Sequence, residues 1–177
     1  MSKNTKVITG LCRLSYPNLF EAKAINGSIE QFSTVIIIPK TDIETIEAIN
    51  KAINSAEEAG KKKFGESFGE YALKKPLRDG DRETKTEMYK GSIFLNAKNT
   101  NKPQIVDRLL QPITDKKEIY SGVYAKASLY FYPYNKRGNR GIACGLGNIQ
   151  KVKDGESFGL YCSAASEFTV IDDEILF

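Results

Sequence analysis

Residues 123–134 read Val-Tyr-Ala-Lys-Ala-Ser-Leu-Tyr-Phe-Tyr-Pro-Tyr, with apolar and polar side chains in alternation. A period of two is typical of a β-strand that buries one face. This stretch therefore predicts a strand whose inner side chains belong to the core: Val123, Ala125, Ala127, Leu129 and Phe131. The outer face of the same strand carries four tyrosines, a lysine and a serine: Tyr124, Lys126, Ser128, Tyr130, Tyr132 and Tyr134.

The segments around this strand predict a mainly β protein. Their apolar, β-branched or alternating character indicates strands at residues 7–15, 32–38, 91–98, 141–151 and 157–163. Tyr16-Pro17-Asn18 and Asn26-Gly27 are turn signals. Several short strands with one inserted helix favour a small antiparallel β-barrel or sandwich over βαβ units.

One helix is expected within this β framework, at about residues 42–59. Thr41 and Glu44 have the spacing of a capping box, and isoleucine recurs every three or four residues at Ile43, Ile46, Ile49 and Ile53. Such a stripe predicts a helix face that packs on the core. Residues 71–90 are polar and predict a long surface loop, and residues 106–111 predict a short helical turn.

The composition argues against several classes of protein. The chain of 177 residues fits one compact domain. It contains no histidine, which removes Ser-His and Cys-His nucleophile pairs and argues against a zinc site. Cys12, Cys144 and Cys162 are widely spaced and odd in number, so we expect free thiols rather than disulfides. Without a long apolar run or a secretory signal, a cytoplasmic location and no membrane contact are expected.

The segment 167–177 reads Glu-Phe-Thr-Val-Ile-Asp-Asp-Glu-Ile-Leu-Phe and differs in charge from the rest of the chain. It holds four of the 22 acidic side chains and none of the 26 basic ones, so residues 1–166 carry 26 basic and 18 acidic side chains, a net charge of +8. We therefore divide the chain into a basic domain, 1–166, and an acidic tail, 167–177. The tail can imitate a polyanion or simply be a solubilising end. Asp172, Asp173, Glu174 and Phe177 are the expected partner contacts.

The tyrosine-rich outer face is the clearest indication of a binding surface in the sequence. Aromatic rings in a row can stack on the bases of single-stranded nucleic acid without reading their order. Residues 135–141 are expected to form the loop that follows, which adds three cations among glycines and suits contact with phosphates. The predicted DNA-binding residues are three tyrosines and six cations: Lys126, Tyr130, Tyr132, Tyr134, Lys136, Arg137, Arg140, Arg78 and Lys90. Further cations can extend this surface, namely Lys74, Lys75 and Lys98.

Other interpretations of these residues remain open at this point. A tyrosine ladder on a strand can be ordinary cross-strand packing, and such a barrel can be a protein-interaction module. Asp79, Asp81 and Glu83 offer carboxylates for a metal-dependent nuclease or recombination enzyme. They lack the remaining ligands of a calcium loop, so no metal or cofactor is expected.

Five strings of residues resemble those of a known family: Pro76-Leu77-Arg78-Asp79-Gly80-Asp81, Phe94-Leu95-Asn96-Ala97, Tyr120-Ser121-Gly122, Tyr132-Pro133-Tyr134-Asn135 and Gly141-Ile142-Ala143. This phage and prophage family was long catalogued as a domain of unknown function in Gram-positive bacteria and their viruses. It is similar to the OB-fold single-stranded-DNA-binding proteins of podophages. The similarity runs from the first strand to Phe168.

The resemblance implies an OB-fold barrel with an inserted helix that binds single-stranded DNA in phage replication and recombination. In the podophage proteins a Pro-Tyr pair precedes the DNA-facing loop, and Pro133-Tyr134 matches it. Those proteins also end in an acidic tail with a final Phe, although theirs is longer. We therefore expect a non-enzymatic DNA-binding protein whose tail docks on phage or host replication or recombination proteins. The sequence leaves the oligomeric state open, including a homodimer.

Overall fold

The two longest strands of the sheet are joined by a tight turn and pair with each other along most of their length. The computed structural model describes residues 3–24, 27–70 and 72–158. Within these ranges the elements are β1 (Lys6–Ile8), β2 (Cys12–Lys23), β3 (Gln31–Pro39), α1 (Ile43–Phe64), β4 (Arg78–Asp79), α2 (Gly80–Glu83), β5 (Ser92–Asn99), β6 (Ile105–Val106), β7 (Tyr124–Lys136) and β8 (Asn139–Lys153). Short 3₁₀ helices lie at Lys3–Thr5, Glu66–Gly69, Glu87–Tyr89 and Lys116–Glu118.

Five of the strands close into a barrel. Their order is β7-β2-β3-β5-β8, and β8 pairs again with β7. Neighbours in this ring are antiparallel except β5 and β8, which are parallel and meet at Lys98 and Gly145. A five-stranded, partly open Greek-key barrel is the OB-fold. The expected mainly β, OB-fold-like barrel with one main helix is confirmed.

The barrel interior is filled by the inner faces of the strands and one face of α1. All five inner residues predicted for residues 123–134 are buried, at 2% exposure or less. The alternation in sequence therefore predicted the buried face correctly, because successive side chains of a pleated strand point to opposite faces. Cys12 and Cys144 are free thiols in this core, and burial raises the pKa of Cys12 to about 12 and also raises the pKa of Cys144. Cys162 lies outside the described residues.

The predicted turn at Tyr16-Pro17-Asn18 is wrong. β2 runs through these residues to Lys23, and its register with β3 shifts between Ser15 and Asn18. Tyr16 adopts a positive φ of 47° there, and its amide donates to the Ser121 hydroxyl at 2.9 Å. Pairing with β3 on both sides keeps the chain extended, so the turn signal produces a β-bulge instead.

The predicted helix is confirmed, with different ends. Its N-cap is Asp42, whose carboxylate accepts from the Thr45 amide at 3.2 Å, rather than a Thr41–Glu44 capping box. Ile43 at the first position is 63% exposed, while Ile49 and Ile53 are buried. The helix also continues past Gly60 to Phe64, and the ring of Phe68 packs against that glycine.

The segment predicted as a long loop, residues 71–90, contains β4, α2 and a 3₁₀ helix. It is fixed by contacts that are distant in sequence. The Lys40 ammonium lies 2.8 Å from Asp79 and 2.6 Å from Asp81, and Asp81 also accepts from the Gly91 amide at 2.9 Å. Residues 71–90 are therefore an ordered part of the domain wherever they are described.

Two further expectations differ from the structure. Residues 106–111 do not form a helical turn: β6 pairs in parallel with β8, and the Asp107 carboxylate then accepts from the amides of Leu109 and Gln111. Residues 154–158 are not a strand, and the rest of the predicted strand 157–163 lies outside the described residues. The predicted strands at 32–38, 91–98 and 141–151 correspond to β3, β5 and β8.

Candidate nucleic-acid interface

Three tyrosines follow one another on the outer face of β7. Tyr130, Tyr132 and Tyr134, which we call the tyrosine face, occupy alternate positions of the strand, and Leu129 and Phe131 between the first positions of this row are buried. β8 offers small residues opposite each of them, since the antiparallel register pairs Tyr130 with Gly145, Tyr132 with Ala143 and Tyr134 with Gly141. The rings of Tyr130 and Tyr132 have centroids 6.0 Å apart and planes inclined by 30°.

The surroundings of Tyr130 and Tyr132 favour the neutral form of their hydroxyls. Partial burial raises the pKa of Tyr130, and a hydrogen bond to Asn99 only partly offsets this effect. Burial also raises the pKa of Tyr132, whose residue is nevertheless 38% exposed. A neutral, partly exposed ring can approach a phosphodiester chain without charge repulsion.

A groove of about 350 Å³ lies beside the tyrosine face. Its lining comes from the first residue of β3, the end of β5 and the middle of β7: Gln31, Lys98, Asn99, Thr100, Tyr130, Phe131 and Tyr132. We call it the tyrosine groove. Gln31 belongs to β3 and Lys98 to β5, the second and third strands of the barrel in chain order, and the face of these two strands binds oligonucleotides in OB-folds.

The other end of the same outer sheet surface is covered by protein. Ile37, Tyr89 and Phe94 form a buried cluster outside the barrel, with Met88 and Phe158 packed against it. The Tyr89 hydroxyl also lies 3.5 Å from the Ser15 hydroxyl on β2. This cover leaves the end near Lys98 and the tyrosine face as the accessible part of the sheet.

The tip of the β7–β8 hairpin is a two-residue turn. Arg137 and Gly138 have positive φ angles of 51° and 82°, as in a type I′ turn. The predicted seven-residue loop, 135–141, is therefore wrong: both strands continue almost to the tip. Lys136 and Arg137 are exposed there and extend the tyrosine face with two cations.

The predicted cations do not all join the tyrosine face. Lys126 is exposed on the outer face of β7, two positions before Ser128. Arg140 is partly buried, and its guanidinium donates to the Ser67 carbonyl oxygen at 2.9 Å. Arg140 therefore supports the contact between the hairpin and the 3₁₀ helix Glu66–Gly69.

Arg78 and Lys90 lie elsewhere. Arg78 is paired with the Glu83 carboxylate and stacks on Phe94 at 4.9 Å from the ring centre. Lys90 precedes β5, whereas Lys98 lies near its end, so about 20 Å of strand separates the two positions. Sequence alone could not tell which end of the strand faces the tyrosines.

Sequence reasoning missed several polar residues of this region. Lys6 is exposed on β1 and pairs with Tyr130 across the strands, on the side away from β8. Gln31, Asn99 and Thr100 line the tyrosine groove. A three-residue strand such as β1 has no sequence signal of its own, and the register that brings these residues together is a property of the closed barrel.

The carboxylates considered for a nuclease have structural contacts. The Lys40 hydrogen bond is the largest effect that lowers the pKa of Asp79, and the Gly91 amide is the largest for Asp81. Glu83 is paired with Arg78. Across the described ranges, no group of three or more His, Cys, Asp or Glu side chains is arranged to hold a metal ion.

The acidic tail at 167–177, including Asp172, Asp173, Glu174 and Phe177, lies outside the described residues. None of the helices within the described ranges is long and apolar enough to cross a membrane.

The barrel is similar to solved structures of phage proteins. It matches a single-stranded-DNA-binding protein from bacteriophage Enc34 in complex with ssDNA with a TM-score of 0.79 and 19% identity, over 89% of this chain and 91% of that one. It also matches gp2.5, a single-stranded-DNA-binding protein encoded by bacteriophage T7, with a TM-score of 0.68 and 14% identity, over 92% and 91% of the two chains. At these identities the matches establish a shared fold.

Comparison of sequences identifies the family as well as the fold. The chain is 31% identical over 160 residues to protein p50 of Acyrthosiphon pisum secondary endosymbiont phage 1, covering 82% of each protein. The family described as "Enterobacter phage Enc34, ssDNA-binding protein" matches residues 5–176. This match spans nearly the whole chain, which therefore belongs to that family of phage single-stranded-DNA-binding proteins.

Proposed function

We propose that this protein binds single-stranded DNA without catalysis, along the tyrosine face and the tyrosine groove. The observation that carries the proposal is the row of Tyr130, Tyr132 and Tyr134 on the open end of an OB-fold sheet. Each exposed ring can stack on a base, and stacking does not depend on base identity. Family membership supports the same function.

The phosphates would be held by cations at the borders of this surface. Lys98 lines the groove, and Lys136 and Arg137 stand at the hairpin tip. Lys126 on β7 and Lys6 on β1 extend the basic border along the strand. Arg78, Lys90 and Arg140 have a smaller part in this proposal, since Arg78 and Arg140 contact protein groups and Lys90 is at the far end of β5.

The partner-binding role belongs to the acidic tail, with residues 1–166 as the DNA-binding domain. Asp172, Asp173, Glu174 and Phe177 would dock on a replication or recombination protein of the phage or its host, in the host cytoplasm. Charge supports this division, because the +8 of residues 1–166 suits DNA and the acidic tail does not. The alternative of a nuclease is not favoured, since Asp79, Asp81 and Glu83 pair with Lys40 and Arg78.

The experiment that tests the function is filter binding with oligo(dT), the same sequence in a duplex, and a range of salt concentrations. We expect preference for the single strand and an affinity that falls linearly on a log–log plot with salt, because phosphate binding releases counterions. Equal binding to duplex, or no dependence on salt, would contradict the proposed surface. Intact oligonucleotide after incubation with Mg²⁺ or Mn²⁺ is the result expected of a binder, and cleavage would favour the enzyme.

A further inference from the structure

The outer face of β8 is a row of residues with almost no side chain. Gly141, Ala143, Gly145 and Gly147 occupy successive outward positions. Glycine within a strand is unfavourable, because it gains no side-chain packing and loses more conformational freedom on folding. None of these three glycines has a positive φ, so the backbone itself does not require them.

The space above Gly145 is filled by the ring of Tyr130. A β-carbon added to Gly145 would lie 2.0, 2.1 and 2.6 Å from three carbons of that ring. These distances are far below van der Waals contact, so ring and methyl group cannot occupy their places together. The ring is thus seated directly on the β8 backbone.

The other outward positions of β8 differ from Gly145. Above Gly147 the nearest atom is the Ser128 hydroxyl oxygen, at 2.3 Å from an added β-carbon. Above Gly141 the nearest atom is the Lys74 carbonyl oxygen at 2.4 Å, with the Tyr134 hydroxyl at 2.8 Å. Gly145 is therefore the position of this row at which an aromatic ring itself rests on the glycine.

We propose that Gly145 is a positioning residue for base stacking: by lacking a side chain it lets the Tyr130 ring form the floor of the tyrosine groove. This inference rests on the proposed function. Gly145 touches no DNA in this account and acts only through Tyr130, which lines the groove together with Tyr132. A methyl group at position 145 lifts the ring into the groove and removes the surface on which a base would stack.

The test compares Gly145→Ala, Tyr130→Ala and the double variant for oligo(dT) affinity. Each single variant is expected to lose the stacking of one base, about 5- to 150-fold in affinity. The double variant is expected to bind as Tyr130→Ala does, since without the ring the methyl group has nothing to displace. Gly69→Ala is the control, because it adds the same methyl group outside the groove, where the nearest atoms belong to the end of the flexible Lys61 side chain, and it should retain wild-type affinity.

Each outcome bears on the proposal. Wild-type affinity of Gly145→Ala, or multiplied losses in the double variant, would overturn the role of Gly145 while leaving the proposed function intact. A wild-type protein without oligo(dT) affinity would overturn the proposed function itself and this inference with it. If circular dichroism shows that Gly145→Ala does not fold, the double variant decides. A folded double variant supports the proposal, because it shows that the added methyl group collides with the Tyr130 ring. An unfolded double variant overturns the proposal.

Discussion

The guanidinium of Arg13 lies 4.2 Å from the ring centre of Phe158, which connects β2 to the chain that follows β8. The ring of Tyr124 contacts the same guanidinium at 4.7 Å. Arg13 also donates two hydrogen bonds to the Gly122 carbonyl oxygen, at 3.0 and 2.9 Å, and one to the Glu156 backbone carbonyl oxygen at 2.6 Å. This arginine therefore holds three separate segments together. Because the Tyr124 ring packs on Arg13, Tyr124 is not part of the tyrosine face.

We expect Arg13→Lys to lower the free energy of unfolding by about 1–3 kcal/mol, because an ammonium group cannot make the forked hydrogen bonds of a guanidinium. Urea denaturation measures this loss. The substitution retains the charge, so oligo(dT) affinity should not change. Weakened binding with unchanged stability would instead identify Arg13 as a DNA contact.

The Lys40 cluster predicts a pH-dependent contribution to stability. Hydrogen bonds to the charged forms lower the pKa of Asp79 and of Asp81 and raise the pKa of Lys40. Carboxylates with a lowered folded-state pKa stabilise the fold above their unfolded value, about 4, and this stabilisation is lost as the pH falls through the folded-state pKa values. The pKa of Lys40 is raised in the folded state, so its contribution to stability is fully present below about pH 10 and is lost as the pH rises further.

Lys40→Met should therefore lower the melting temperature at neutral pH, and its difference from wild type should shrink as the pH falls and the two carboxylates take up protons. Thermal unfolding between pH 2 and 7 measures the difference, and NMR titration should show both carboxyl pKa values rising in the variant. Lys62→Met, on the exposed surface of α1, is the control. A difference between wild type and Lys40→Met that stays constant down to pH 2 would contradict this account.

The sequence predicted those features of the fold that one element carries by itself. The alternation around Leu129 and Tyr130 identified both faces of β7 because they belong to one strand. Features that depend on distant partners were not predictable: pairing with β3 converts the turn at Pro17 into a bulge, and contacts from Lys40 and Gly91 order the segment around Asp81. Contacts between residues distant in sequence decide both cases, and a single sequence does not record them.

The residues of the candidate site likewise fall into those that the sequence could assign and those that it could not. Tyr130, Tyr132 and Tyr134 could be assigned together because they share one strand face. Lys90 and Arg78 could not be excluded, because their distance from the tyrosines depends on how β5 lies against β8. Gln31 and Lys6 were missed for the same reason, since each reaches the site only through the register of another strand.

Tyr132 is the most exposed member of the tyrosine face, at 38%. We expect Tyr132→Ala to weaken oligo(dT) binding by about 1–3 kcal/mol, the stacking energy of one base on an aromatic ring. Tyr132→Phe keeps the ring and should retain most of the affinity. Titration of a fluorescent oligo(dT) with both variants measures this difference. Equal losses in the two variants would assign the effect to the hydroxyl group, and no loss in either would remove Tyr132 from the interface.

The two arginines of the hairpin have different surroundings. Arg137 is exposed at the first position of the type I′ turn, with φ of 51°, and Arg140 donates to Ser67. Arg137→Asn removes the cation but keeps the turn, because asparagine before glycine is favoured in this geometry. We expect unchanged stability and a log–log salt slope that is shallower by about 0.7, the value for one phosphate contact on a single strand.

Arg140→Ala should have the reverse effect: a loss of stability of about 0.5–1.5 kcal/mol for the hydrogen bond to Ser67, with an unchanged salt slope. Measuring both variants by urea denaturation and by salt-dependent filter binding separates the two roles. A shallower slope for Arg140→Ala would place that arginine on the DNA. An unchanged slope for Arg137→Asn would mean that the strand does not reach the hairpin tip, and that the phosphates are held nearer Lys98 and Lys126.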